Sequence, residues 1–163
     1  MAVSSHKRIL IGITGSIAAY KIPFLVQLLK RHQFDIKIML SKNAEKFVTK
    51  TTLETLCGHR IYCAQQDDMQ HIQLARWADS ILIAPATANI IAKLAVGSAD
   101  ELLTQTCLAT KAPIHIAPAM NTNMWSHTAT QKNIRNLQQL GYQLIDPDHG
   151  EQACGDIGVG RMQ

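Results

Sequence analysis

Long hydrophobic runs are missing from this chain of 163 residues. No apolar stretch reaches the roughly 18 residues a membrane-crossing helix needs, because Lys21, Lys30, Arg76, Asp79 and Lys93 interrupt every candidate. Residues 1–7 are short and polar and hold no hydrophobic core of a secretion signal. A soluble protein of the cytoplasm, without membrane contact, is the expectation. Cysteine is sparse too: Cys57, Cys63, Cys107 and Cys154 show no CxxC spacing, so free thiols are expected and a secreted disulfide framework is not. The histidines, among them His59, His71, His115, His127 and His149, form no pair at metal-ligand spacing, which argues against a zinc site. There is no GxSxG elbow and no Gly-Lys-Ser/Thr phosphate loop, so the common hydrolase and nucleotide-hydrolysing signatures are absent. Charge of one sign is also scarce. Lysine plus arginine number 16 against 12 carboxylates, a net charge of +4 spread along the chain. That is too mild and dispersed for nucleic acid as the ligand, and suits an anionic small molecule at least as well.

What is present is an alternation. Residues 8–13 are an apolar run followed by Thr14-Gly15-Ser16 and a periodic stretch over 17–31, which reads as strand, loop and helix. The strand signal returns at 35–40, with Ser41-Lys42-Asn43 opening a helix, and at 80–84, where Pro85 is expected to stop it. Helical sequence follows over 87–96 and 99–109, then a strand at 114–117 ended by Pro118, a helix over 128–140 and a strand at 142–145. Continuous apolar strands separated by helices need a parallel sheet covered on both faces. Right-handed crossovers make this an α/β, doubly wound, Rossmann-like parallel sheet in a single domain of residues 1–163. From Pro147 the pattern lapses, and 147–163 is expected to be a loop or flap.

Open α/β sheets bind ligands beyond the carboxyl ends of their strands, so the residues there carry the chemistry. Gly15, Ser16 and Ile17 after the first strand offer backbone N–H groups and a hydroxyl at a helix start, the makings of a phosphate seat, and Ser41 gives a similar, weaker signal. Pro85-Ala-Thr-Ala-Asn89 is a turn of small residues that lets a flat ligand reach the backbone, with Thr87 and Asn89 as hydrogen-bonding groups. Pro118-Ala-Met-Asn121 repeats that character. Cys154, flanked by glycine, is accessible enough to donate a proton.

Taken together, Gly12-Ile-Thr-Gly-Ser-Ile-Ala-Ala-Tyr-Lys21, His71 with Trp77-Ala-Asp79, Ala84-Pro-Ala-Thr-Ala-Asn-Ile-Ile-Ala-Lys-Leu-Ala95, Pro118-Ala-Met-Asn-Thr-Asn-Met-Trp125 and Ala153-Cys-Gly-Asp-Ile-Gly-Val-Gly-Arg-Met162 resemble the homo-oligomeric flavin-containing cysteine decarboxylases. The resemblance covers nearly the whole chain and implies a flavodoxin-like flavoprotein domain. It implies FMN with its phosphate near Gly15, Ser16, Ile17 and Ser41, and its ring beside Ala86, Thr87, Ala88, Asn89, Ile90 and Ala119. His71 matches the family's catalytic histidine, Asn121 the asparagine that holds the substrate carboxylate, and Cys154 the cysteine of the reductive step. Asn121, Met124, Ala153 and Gly155 would contact substrate, under a flap of residues 147–163. The flavin of this family lies between subunits of a trimer, which in some members builds a dodecamer of four trimers.

Cys154 and the Ala119-Met120 context point, within that resemblance, to the branch that converts (R)-4′-phospho-N-pantothenoylcysteine to 4′-phosphopantetheine in coenzyme A biosynthesis. Oxidation of the substrate CH2–SH group to a thioaldehyde lets the charge left by CO2 spread onto sulfur, and reduction of the enethiol completes the reaction. His71 would help deprotonate the substrate thiol, Asn121 would orient the carboxylate and Cys154 would protonate the intermediate. A phosphopantothenate–cysteine ligase domain, fused or separate, is the implied partner. The alternatives are a peptidyl-cysteine decarboxylase or flavin prenyltransferase of the same fold, and a non-catalytic flavin-binding regulatory subunit.

Overall fold

The computed structural model describes residues 7–63 and 68–163. Five strands, β1 (Arg8–Ile13), β2 (Asp35–Leu40), β3 (Ser80–Ala86), β4 (Ile114–Pro118) and β5 (Gln143–Leu144), form one parallel sheet in the order β2-β1-β3-β4-β5. The connecting helices are α1 (Ile22–Arg31), α2 (Lys50–Cys57), α3 (Gln70–Trp77), α4 (Ala88–Ala95), α5 (Leu102–Ala109), α6 (Thr122–Ser126) and α7 (Thr128–Gln139). Alternate residues of β1 feed opposite cores. Leu10 packs with Ile81, Ile83 and Ile116 against α4, α5 and α7, whereas Ile11 and Ile13 join Ile38 and Leu40 under α1 and α2. A strand buried on both faces must be apolar at every position, which is why these runs are unbroken. Gly12 is required for closeness, since a β-carbon there would run into the Leu103 side chain of α5.

The order of strands reverses between β1 and β3, and the loops that leave these two strands meet at that switch point. Asp79, just before β3, ties the two strands at their other end: it accepts the Arg8 backbone N–H at 2.9 Å and the Arg8 guanidinium at 2.8 Å. Side-chain and backbone hydrogen bonds from Arg8 pull the Asp79 carboxyl down to about 2.

Two local expectations change. Pro85 does not end β3. The strand passes through a cis Ala84–Pro85 bond to Ala86, and its register with β4 shifts between Ile83 and Ala86. Proline has no N–H to give the ladder, so the pairing slips there and resumes where Ala119 donates to the Ala86 carbonyl at 3.0 Å. The tail is not a loop but an antiparallel hairpin of β6 (Asp148–Glu151) and β7 (Ile157–Arg161). It docks on the segment after β4, where Met120 N–H donates to the Gly160 carbonyl at 3.0 Å. Gly160 has φ of 142° and lies so close to the Met120 carbonyl that a side chain would collide with it.

Candidate active site

Ser16 begins the helix that leads into α1: its Oγ accepts the Ala18 N–H at 3.3 Å, capping a single 3-10 turn over Ile17–Lys21. The N–H groups of Gly15 and Ile17 have no backbone acceptor among the described residues. Open amides at a helix start are a seat for an anion. Gly15 lets this loop lie against the loop after β2, since a β-carbon there would stand 2.7 Å from the Asn43 Cβ. Ser41, whose N–H donates to the Ile13 carbonyl at 3.0 Å, comes close on the same side.

A buried polar knot joins that loop to the turn after β3. Thr14, 3% exposed, donates from Oγ1 to the Pro85 carbonyl at 2.6 Å and accepts the Thr87 N–H at 3.1 Å. Thr87 in turn caps α4, its Oγ1 accepting from Ile90 N–H at 3.3 Å. Ala86 and Ile90 bury their side chains in the core, so they offer a ligand only their backbone, while Asn89 is exposed and Ala88 partly so.

Between the start of α1 and the β6–β7 hairpin lies a cavity of about 590 Å³. Ser16, Ile17, Tyr20 and Lys21 form one wall, Ala119, Met120 and Asn121 the base, and Gln152, Ala153, Cys154 and Arg161 the other wall. Asn121 caps α6 with its Oδ1, which accepts Asn123 N–H at 2.9 Å and so turns the amide NH2 outward. That NH2 lies 3.5 Å from the Cys154 sulfur and donates to Asp156 at 2.7 Å. Gln152 fastens the hairpin to α6 and the chain before it: its Oε1 accepts Thr122 N–H at 3.0 Å and its Nε2 donates to the Met120 carbonyl at 3.4 Å. Lys21 donates to the Met162 carbonyl; burial, followed by the nearby Arg161 charge, pulls its ammonium below the usual lysine value.

The structure thus brings together Ser16, Ile17, Ala119, Asn121, Ala153 and Cys154 from the sequence reading. It does not bring His71 to them. His71 stands on α3, outside the cavity lining, with a buried Nδ1 that has no hydrogen-bond partner among the described residues. Ser41 lines a separate recess of about 260 Å³ with Lys42, Tyr62 and Leu102. Met124 is half exposed on α6 and Gly155 sits at the hairpin turn with φ of 87°, both outside the cavity lining. Sequence reasoning gave no role to Thr14, Gln152, Asp156 or Arg161. For Asp156 the signal was its place two residues beyond Cys154, across a glycine turn that folds both side chains to one side. Among the described residues no group of three or more His, Cys, Asp or Glu side chains is placed to hold a metal ion.

The flavoprotein family matches residues 2–163. The chain belongs to the flavoprotein family. Among curated relatives, this flavoprotein is 47% identical over 161 residues to the coenzyme A biosynthesis bifunctional protein CoaBC of Haemophilus influenzae, covering 96% of this chain and 40% of that one. It therefore spans well under half the length of such bifunctional proteins. Among solved structures it resembles the FMN-dependent cysteine decarboxylase SpaF, with 33% identity, a TM-score of 0.85 and coverage of 96% and 91% of the two chains. It also resembles a variant of PPC decarboxylase in complex with pantothenoylaminoethenethiol, with 32% identity, a TM-score of 0.86 and coverage of 97% and 91%. No helix among the described residues is long and apolar enough to cross a membrane.

Proposed function

We propose that this flavoprotein is an FMN-dependent carboxy-lyase that converts (R)-4′-phospho-N-pantothenoylcysteine to 4′-phosphopantetheine. The observation that carries the reading is the convergence of the Asn121 amide and the Cys154 thiol, 3.5 Å apart, in a cavity that opens beside the uncapped amides at Gly15 and Ile17. The residues present fit FMN: open N–H groups and the Ser16 hydroxyl suit a phosphate monoester, and the small-residue turn from Ala86 to Ile90 with Ala119 suits a flat ring system. When bound, FMN would supply a two-electron acceptor that oxidises the cysteine CH2–SH group, so that the charge left by CO2 is shared with sulfur.

The chain's own residues supply the rest. The Asn121 NH2 would hold the substrate carboxylate by a neutral hydrogen bond, fixing its direction without the grip of an ion pair. Cys154, exposed on a hairpin over the cavity, would deliver a proton to the intermediate. His71 would act on the substrate thiol, and its place outside the cavity lining supports a site completed by a second copy of the chain, in a trimer or an assembly of trimers. Lys21 and Arg161 on the cavity walls supply cations for the substrate phosphate. The CoaBC relatives support a fused ligase domain as partner and the cytoplasm as location. Incubating the FMN-loaded protein with the phosphorylated cysteine conjugate should release CO2 and yield 4′-phosphopantetheine. Turnover of peptides with a carboxy-terminal cysteine instead, or flavin binding with no CO2 release, would replace this reading.

A further inference from the structure

One carboxylate oxygen, on an exposed hairpin residue just outside the cavity lining, is shared by both of the groups just described. Asp156 Oδ2 accepts the Asn121 NH2 at 2.7 Å and the Cys154 thiol at 3.4 Å. Asp156 is held where it can do this by the hairpin turn: its carbonyl accepts Gln152 N–H at 2.8 Å, and Gly155 N–H donates to the Gln152 carbonyl at 2.9 Å. The Asn121 amide cannot turn away, because its oxygen is engaged at the start of α6. Its two N–H bonds are therefore aimed at Asp156, at 2.7 Å, and at the Cys154 sulfur, at 3.5 Å, and a carboxylate already takes the shorter of the two.

We infer that Asp156 is a positioning residue that holds the place on Asn121 which the substrate carboxylate must take. Resting on the substrate reading above, this makes binding an exchange of one carboxylate for another at the same amide. The incoming carboxylate displaces Asp156, and that displacement also releases the Cys154 thiol from its acceptor and frees it for the intermediate. Two carboxylates cannot share one NH2 without repulsion, so the substrate is held less tightly than its contacts alone would allow. Loss of CO2 removes the competitor and lets Asp156 return. The decarboxylated product never competes with it.

The test compares two unreactive ligands on the FMN-loaded full chain by calorimetric titration: 4′-phospho-N-pantothenoylserine, which keeps the carboxylate but has no thiol to oxidise, and the corresponding ethanolamine amide, which lacks the carboxylate. Asp156→Ala should bind the serine ligand about tenfold tighter than the unsubstituted protein, the size expected for one charge-assisted hydrogen bond no longer to be displaced, and leave the ethanolamine ligand within about twofold. Asp156→Asn, which keeps an acceptor without the charge, should fall between. Equal or weaker serine-ligand binding in Asp156→Ala, or equal changes for both ligands, overturns the exchange while leaving the substrate reading standing. If the unsubstituted protein binds neither ligand, the substrate reading falls and the exchange with it.

Discussion

Cys107 and Cys154 carry the same thiol in opposite settings. Burial pushes Cys107 up to about 12, where it is a small apolar side chain, and Cys63 is pushed up for the same reason. Cys154 stands in solvent beside Asn121. Replacing Cys154 by serine should therefore leave folding and CO2 release in place but stop the reaction at the enethiol, which mass analysis of the product would reveal; saturated 4′-phosphopantetheine at the normal rate would contradict the role given to this thiol. Thr14 makes a different case. It does not line the cavity, yet Thr14→Val would take the hydroxyl from the Pro85 carbonyl, leaving it the Thr14 N–H at 3.3 Å, and would remove the acceptor of the Thr87 N–H, costing about 1 to 3 kcal/mol. Urea unfolding should show that loss, FMN affinity should fall with it, and Thr14→Ser should recover both.

At the scale of elements, the Arg8–Asp79 pair clamps the amino-terminal ends of β1 and β3, the two strands between which the topology reverses. Because the folded Asp79 carboxyl lies at about 2, below its ordinary 3.8, the stability it contributes is present above the ordinary value and is lost as pH falls through the folded one. Asp79→Asn should thus be less stable than the parent at neutral pH, with the gap closing between pH 3.8 and about 2 in acid titrations followed by circular dichroism. The central strands were legible in the sequence because burial on two faces leaves a continuous apolar signature, as in Ile81, Ile83 and Ile116. The β6–β7 hairpin was not, because its residues are mostly exposed and its glycines serve close approaches, Gly158 to the Thr122 side chain and Gly160 to the Met120 carbonyl, that no hydrophobic period records. The five-residue α6 is too short to show a period at all. The site divides the same way. Ser16, Asn121 and Cys154, singled out from strand ends and resemblance, share one cavity, whereas Gln152 and Asp156 make their contacts through a turn geometry that appears only once the hairpin is folded.

For the whole molecule, the place of His71 outside the cavity that Asn121 and Cys154 line has a direct consequence if copies of the chain complete one another's sites. A His71→Asn chain and an Asn121→Ala chain should each be inactive alone. Mixed at equal amounts and reassembled, they should recover about a quarter of the parental activity, since random assembly places an intact His71 opposite an intact Asn121 at that frequency. No recovery, with mixed oligomers shown by mass spectrometry, would mean that each chain is sufficient. The apolar side chains of Ile17, Tyr20, Phe24 and Leu28 are all at least half exposed along the start and length of α1, and Ile17 and Tyr20 also line the cavity, so the face that would meet a neighbour runs straight out of the site.

The manner in which the hairpin is fastened separates two events that would otherwise be read as one. Gln152 and the Met120–Gly160 pair hold it by uncharged hydrogen bonds, the Asp156–Asn121 and Lys21–Met162 bonds each pair one charged group with a neutral one, and among the described residues no ion pair joins the hairpin to the rest of the chain. A phosphorylated ligand drawn by Lys21 and Arg161 feels ionic strength, whereas these fastenings do not. Raising salt should slow capture and leave the protease resistance of residues 148–161 unchanged, so that salt alone tells arrival of the ligand from movement of the strand pair that covers it.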